Sequence, residues 1–282
     1  MTDIGEIQSI SKSLKQKEKT IGLVPTMGAL HAGHLSLVER CKSECDITIV
    51  SIFVNPTQFA PNEDLEKYPR NLERDKKLLL DENVDYIFFP DKDQIYPYNF
   101  QTYVSVEKIT KILEGEFRPI HFRGVTTIVN ILFNCVKPDY AYFGQKDAQQ
   151  VAVIQQMVSD LKMGIDIVVC PIVRESDGLA MSSRNVYLSS EEREMALTLH
   201  KALLYGRKLI EEDKEMNPHI VLDNMKAIIY EEKSIKLDYV AFVNAYGFKE
   251  VDLIEGGNEY YILIAAKVGN TRLIDNEFIT LS

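Results

Sequence analysis

The chain has 282 residues, with 32 Lys+Arg against 42 Asp+Glu and a formal net charge of −10. That balance argues against a general nucleic-acid binder, because phosphate contacts need a basic face, and against docking on anionic lipid. It leaves room for a small, locally positive pocket. The apolar share of 45% and charged share of 26% are those of a globular chain, long enough for one large domain or two smaller ones without a covalent staple.

The N-terminal stretch MTDIGEIQSISKSLKQKEKT lacks the apolar core of a secretory signal. A short apolar run, Ile21 to Pro25, follows as the first strand. Gly33 to Ser43 reads as a helix. Asp46 to Val54 (DITIVSIFV) is a β-branched run suited to a strand covered on both faces. It is also the longest apolar stretch, far short of the ~20 residues that span a bilayer. Asn71 to Asn83 is a charged helix and Val84 to Phe89 a further strand. Val125 to Val136 reads as an apolar helix, Asp139 to Phe143 as a strand, Asp147 to Leu161 as a helix, and Ile165 to Val173 as a strand broken by Pro171. Strands alternating with helices predict an α/β domain with a doubly wound, Rossmann-like parallel sheet over residues 1–175.

The pattern then changes. RESDGLAMSSRN is a polar loop, and Ser189-Ser190 before Glu191-Glu192 starts a long helix to about Glu212. Another helix follows Pro218. Two strands, Asp238 to Ala245 and Tyr260 to Val268, are expected to turn at Gly256-Gly257. Residues 176–282 are therefore expected to form a smaller C-terminal α+β domain acting partly as a lid. The four cysteines, Cys41, Cys45, Cys135 and Cys170, lack C-x-x-C spacing, which fits reduced thiols in a cytoplasmic protein better than a zinc site.

None of the 14 glycines forms a G-x-G pair, and no G-x-x-x-x-G-K-[ST] occurs; both the dinucleotide fingerprint and the P-loop are absent. The first strand nevertheless runs through PTMGALHAGH into a helix, a place where free N–H groups and a helix dipole make an anion site. His31 and His34, two of the five histidines, lie there three residues apart and can face the same way. Surface or helix-capping histidines are the plainer alternative.

His31-Ala32-Gly33-His34 matches the H-x-G-H signature of the nucleotidyltransferase superfamily. The longer stretch VPTMGALHAGH, with FVNPTQF (53–59), RPIHFRGV (118–125), YFGQKDAQQ (142–150) and GLAMSSRN (178–185) in the same order, resembles the pantoate–β-alanine ligase family. That resemblance implies ATP-dependent condensation of (R)-pantoate with β-alanine to pantothenate, AMP and diphosphate through a pantoyl adenylate. It implies an ATP site of Met27, Gly28, Ala29, Leu30, His31, Ala32, Gly33, His34, Gly144, Gln145, Lys146, Asp147, Val173, Met181, Ser182, Ser183 and Arg184. His34 would be the proton donor, with the backbone from Met27 onward cradling phosphates and Lys146 acting as a point charge. The 181–184 segment resembles a mobile signature that closes over the triphosphate. Gln58 and Gln150 would hold pantoate, and Gln58 would also meet β-alanine. Asp75 would hold Mg²⁺ through water. Arg118, His121 and Arg123 form a basic cluster without an assigned role. The family further implies a homodimer. Two rivals are an adenylyltransferase that leaves the nucleotide on its product, and a nucleotide-binding regulatory module without catalysis.

Overall fold

The protein is described by a computed structural model over residues 1–61 and 63–281; Asn62 and Ser282 lie outside the described residues. Two compact units form. The first comprises Met1–Gly144 with Val153–Pro171, and the second Gln145–Ala152 with the chain from Ile172 onward. Compared with the expected division at residue 175, the second unit also takes in Ile172 to Glu175 and the segment Gln145–Ala152, whose backbone is bonded to that unit's last strand.

The first unit is built on five parallel strands, β1 (Ile21–Thr26), β2 (Ile47–Ile52), β3 (Tyr86–Phe88), β4 (Tyr140–Gly144) and β5 (Asp166–Cys170), in the order β3-β2-β1-β4-β5. This is the doubly wound arrangement expected, with its switch point between β1 and β4. Flanking helices are α1 (Ile4–Gln16), α2 (Ala32–Glu44), α3 (Leu72–Asp81), the one-turn α4 (Lys92–Ile95) and α5 (Glu114–Phe117), α6 (His121–Val136) and α7 (Ala148–Asp160), the last begun in the second unit. The β-branched content of β1 and β2 suits strands covered on both faces, and Val24 and Val50 are fully buried against Leu37, Val38 and Cys41 of α2. β1 pairs with β2 over six residues but with β4 only at Gly22–Tyr140 and Leu23–Ala141. The strands therefore separate toward their carboxyl ends, where such sheets place ligands.

Three elements differ from expectation. α1 occupies the N-terminal stretch, for which no element is predicted; Ile7, Ser11 and Leu14 at helical spacing form its buried stripe. α6 begins at His121, one turn before the predicted start. β5 ends at Cys170, because Pro171 has no N–H to donate to the ladder.

In the second unit, α8 (Ser190–Glu211) and α9 (Pro218–Tyr230) pack on an antiparallel sheet of β6 (Ile235–Asn244), β7 (Glu259–Val268) and β8 (Thr271–Thr280). α8 starts with a capping box, Ser189 Oγ accepting from Glu192 N and Glu192 Oε2 from Ser189 N. Its core includes Leu199, Leu203, Val221, Met225, Phe242, Ile262 and Ile264. The third strand was not foreseen, and the tight turn falls elsewhere. Gly269-Asn270 joins β7 to β8, with Gly269 at φ 57°, whereas Gly256-Gly257 belongs to the longer 245–258 connection. Among the described residues no helix is long and apolar enough to cross a membrane.

Candidate active site

In the first unit the site is built on the loop that leaves β1. Thr26 Oγ1 donates to Ser51 O (2.8 Å) and accepts from Gly28 N (3.2 Å). Gly28 turns the chain at φ 78°, and a Cβ there would lie 2.9 Å from Asp75 Oδ2, so both conformation and space require glycine. Ala29 follows at φ 51°, a left-handed conformation costly for a residue with a Cβ. What holds it is Asp75, in the first turn of α3, whose Oδ2 accepts from Ala29 N (2.8 Å) and Oδ1 from Leu30 N (2.9 Å). Those two amides belong to the peptide planes on either side of the Ala29 Cα, so the carboxylate fixes that residue's φ and ψ together.

His31 is the N-cap of α2. Its Nδ1 accepts from Gly33 N (3.2 Å), and His34 Nδ1 accepts from His31 N (3.4 Å), a capping box made by two imidazoles. The rings lie 4.1 Å apart between centroids. An acceptor Nδ1 puts the proton of the neutral ring on Nε2, so capping and donating to an anion use opposite ring edges of one side chain. The N–H groups of Gly28, Ala29, Leu30, His31, Gly33 and His34 all bond within the protein.

Gln58 closes the 3₁₀ turn Pro56–Gln58, capped by Asn55. Asn55 is 1% exposed, and its Nδ2 donates to Gln58 Oε1 (3.1 Å) and Gly124 O (3.0 Å). Gln58 Nε2 lies 2.9 Å from Met27 Sδ, which joins this turn to the histidine loop. Two members of the basic cluster, Arg118 just after α5 and His121 at the start of α6, support it. His121 Nδ1 is 3.1 Å from Gln58 O, and Arg118 bonds the same carbonyl and pairs with Glu63 (2.7 Å). Arg123 stacks on Tyr103 instead (3.9 Å). α6 can approach this closely only through Gly124, where a Cβ would lie 2.5 Å from Gln58 N and Thr57 O.

Asp75 is 1% exposed and both its oxygens hold the loop. Among the described residues no three His, Cys, Asp or Glu side chains are grouped to hold a metal ion.

The second unit carries the remaining expected residues. Gln145, Lys146 and Asp147 form a 3₁₀ turn directly after Gly144, the last residue of β4. A Cβ at Gly144 would meet nothing within 4 Å, so packing does not require that glycine. Gln149 is buried and Gln150 partly exposed on the first turn of α7. Val173 accepts from Met181 N (3.0 Å), and Arg174 bridges Ala180, closing a hairpin that delivers Met181 to Arg184. Ser182 caps the 3₁₀ turn Ser183–Tyr187 by accepting from Arg184 N (3.2 Å).

The polar loop expected here is held in place by ion pairs. Arg174 pairs with Asp275 (2.6 Å) and Glu277 (3.2 Å), and Arg193 with Glu175 (2.8 Å) and Asp177 (2.6 Å). Arg193 holds the Glu175 carboxyl below the usual carboxylate range. Asn276 of β8 accepts from Gln145 Nε2 and donates through Nδ2 to Gln145 O and Lys146 O, each at 3.0 Å. Arg174, Arg193, Asp275 and Asn276 escaped the sequence reading. The one available signal was the polar triplet Asp275-Asn276-Glu277 set among Leu273, Ile274, Phe278 and Ile279.

Residues 1–278 match the family model described as pantoate-beta-alanine ligase. The pantothenate synthetase of Caldicellulosiruptor saccharolyticus is 56% identical over 97% of this chain and 96% of its own; that of Pseudothermotoga lettingae is 53% identical over 98% and 97%. A crystal structure of the Thermus thermophilus enzyme superposes with a TM-score of 0.92 at 41% identity, covering 98% of both chains. That of Francisella tularensis pantoate-beta-alanine ligase, complexed with beta-gamma ATP and beta-alanine, superposes at 0.80 with 37% identity, covering 98% and 96%.

Proposed function

The chain belongs to the pantoate–β-alanine ligase family, and on that premise we propose how its own residues carry out the ATP-dependent joining of (R)-pantoate to β-alanine. A carboxylate is a poor acyl donor because its leaving group would be oxide. One pantoate carboxylate oxygen attacks the α-phosphorus of ATP, and the bond to the β,γ-diphosphate breaks. The amine of β-alanine then attacks the acyl carbon of the pantoyl adenylate, AMP leaves, and the nitrogen loses a proton. The protein's part is to position reactants and neutralise charge.

The observation that carries this reading is the pair of adjoining imidazoles at the start of α2, each accepting at Nδ1 and so protonated at Nε2. His34 donates to the phosphate oxygen as charge moves onto the departing diphosphate, with His31 beside it. Lys146, Arg184, Ser182 and Ser183 contribute charge and hydroxyls to the triphosphate. Gln145, Asp147, Val173, Met181 and the Met27–Gly33 loop complete the nucleotide's surroundings. Gln58 and Gln150 hold pantoate through amide donors and acceptors, and Gln58 also meets β-alanine. Mg²⁺ enters this reading as part of the nucleotide substrate. A homodimer, as the family likeness suggests, and a cytoplasmic location, in keeping with four free cysteines, belong to the same proposal; sedimentation analysis tests the first.

The test is exchange of labelled diphosphate into ATP, with AMP release measured as each substrate is omitted in turn. Exchange that requires pantoate, and AMP release that also requires β-alanine, is the expected result. Exchange independent of pantoate removes the substrate assignment, and a stable adenylylated product favours the adenylyltransferase rival.

A further inference from the structure

We propose that Asn276 is a positioning residue for Lys146, fixing the backbone from which that cation reaches the nucleotide phosphates; this rests on the role given to Lys146 above. Asn276 is 1% exposed on β8, an edge strand. Asparagine is a poor strand former, and burying a primary amide is costly unless its donors and acceptor are all matched. Here they are matched by one partner segment. Oδ1 accepts from Gln145 Nε2, and the two Nδ2 protons go to Gln145 O and Lys146 O, each at 3.0 Å.

The two carbonyls matter because of where they stand in the chain. Gln145 C=O belongs to the peptide plane before the Lys146 Cα, and Lys146 C=O to the plane after it. A fork that grips both planes prevents rotation about φ and ψ of Lys146, so the direction in which its side chain leaves the backbone is fixed. Asp75 grips the planes around Ala29 in the same manner from the acceptor side.

The neighbours of Asn276 perform a second task. Asp275 and Glu277 receive Arg174, which also bonds Gly178 O and so ties the hairpin leading to Ser182 and Arg184. Three successive residues of β8 thus hold both pieces of chain that carry the second unit's phosphate-binding groups. A lysine left to wander loses more in rate than in fold, because it must be ordered again at each turnover.

A double-mutant cycle with Asn276→Ala and Lys146→Ala tests this, read on pantoate-dependent diphosphate exchange and on ATP affinity by calorimetry. The second readout serves if Lys146→Ala is too slow to assay. In the native background Asn276→Ala should lower the exchange rate roughly tenfold or more and weaken ATP, with KM for pantoate little changed. In the Lys146→Ala background the same change should cost less than about twofold. Equal losses in both backgrounds, or no loss at all, overturn the proposal. If Asn276→Ala shows no cooperative unfolding transition, Asn276→Ser carries the same cycle, since its one hydroxyl adds no charge and cannot grip both carbonyls. A wild-type enzyme without exchange would refute the ligase chemistry itself; additive losses in an active enzyme would refute only the part given to Asn276.

Discussion

Ala29 holds a left-handed backbone at φ 51° in the loop that brings His31 and His34 to the start of α2, and Asp75 keeps it there. A residue with a Cβ in that region is strained by about 1 kcal/mol. Ala29→Gly should therefore raise stability in urea unfolding by up to about 1 kcal/mol, and a loss would show the conformation to be set by something other than the carboxylate. Asp75→Ala leaves two amide donors without their acceptor and should cost about 2 kcal/mol or more, with a fall in exchange rate from the displaced histidines. His34→Ala should fold normally and lose roughly 10²–10³ in rate, by analogy with a lost oxyanion donor; near-normal turnover would remove the proton donor from the mechanism. The two histidines were legible in the sequence because H-x-G-H sits between a strand and a helix. The task of Asp75 was not, because LERD at the start of a charged helix looks solvated, and only the placement of α3 over the β1 loop buries it.

At the scale of elements, the runs ITIVSI and YAYFG announce buried strands through composition alone, and Ser189 with Glu192 announces the start of α8. α1 was obscured by its lysines. β8 was obscured by its central polar triplet, whose partners lie more than a hundred residues away in sequence. The start of α6 was misjudged at Gly124, a residue that weakens a helix in isolation but here lets α6 rest against the Gln58 turn. Gly124→Ala places a Cβ 2.5 Å from the backbone of Thr57 and Gln58. The overpacking should cost about 1–3 kcal/mol, and KM for pantoate should rise more than KM for ATP, measured by initial rates with each substrate varied. An unchanged pantoate KM would separate α6 packing from the pose of Gln58.

For the whole molecule, the net charge of −10 describes a solvated surface, while the cations that order the second unit are paired inside it. His200 of α8 lies half-buried beside them. A Cβ on Gly178, at the tip of the hairpin, would lie 2.7 Å from His200 Nδ1, and the charged groups that act on the ring are Arg174, Asp275 and Glu277. Burial first, and then the Arg174 guanidinium, hold its pKa below the ordinary imidazole value of 6.5. The unfolded chain therefore binds a proton at a pH where the native protein does not. This contribution to stability is fully present above the unfolded value and declines as pH falls below 6.5 toward the native value. Between about pH 8 and pH 5.5 the thermal midpoint of the wild type should fall further than that of His200→Gln, which keeps a polar side chain but cannot titrate. Parallel curves for the two proteins would show that the hairpin bearing Ser182 to Arg184 is indifferent to the charge of its neighbouring imidazole.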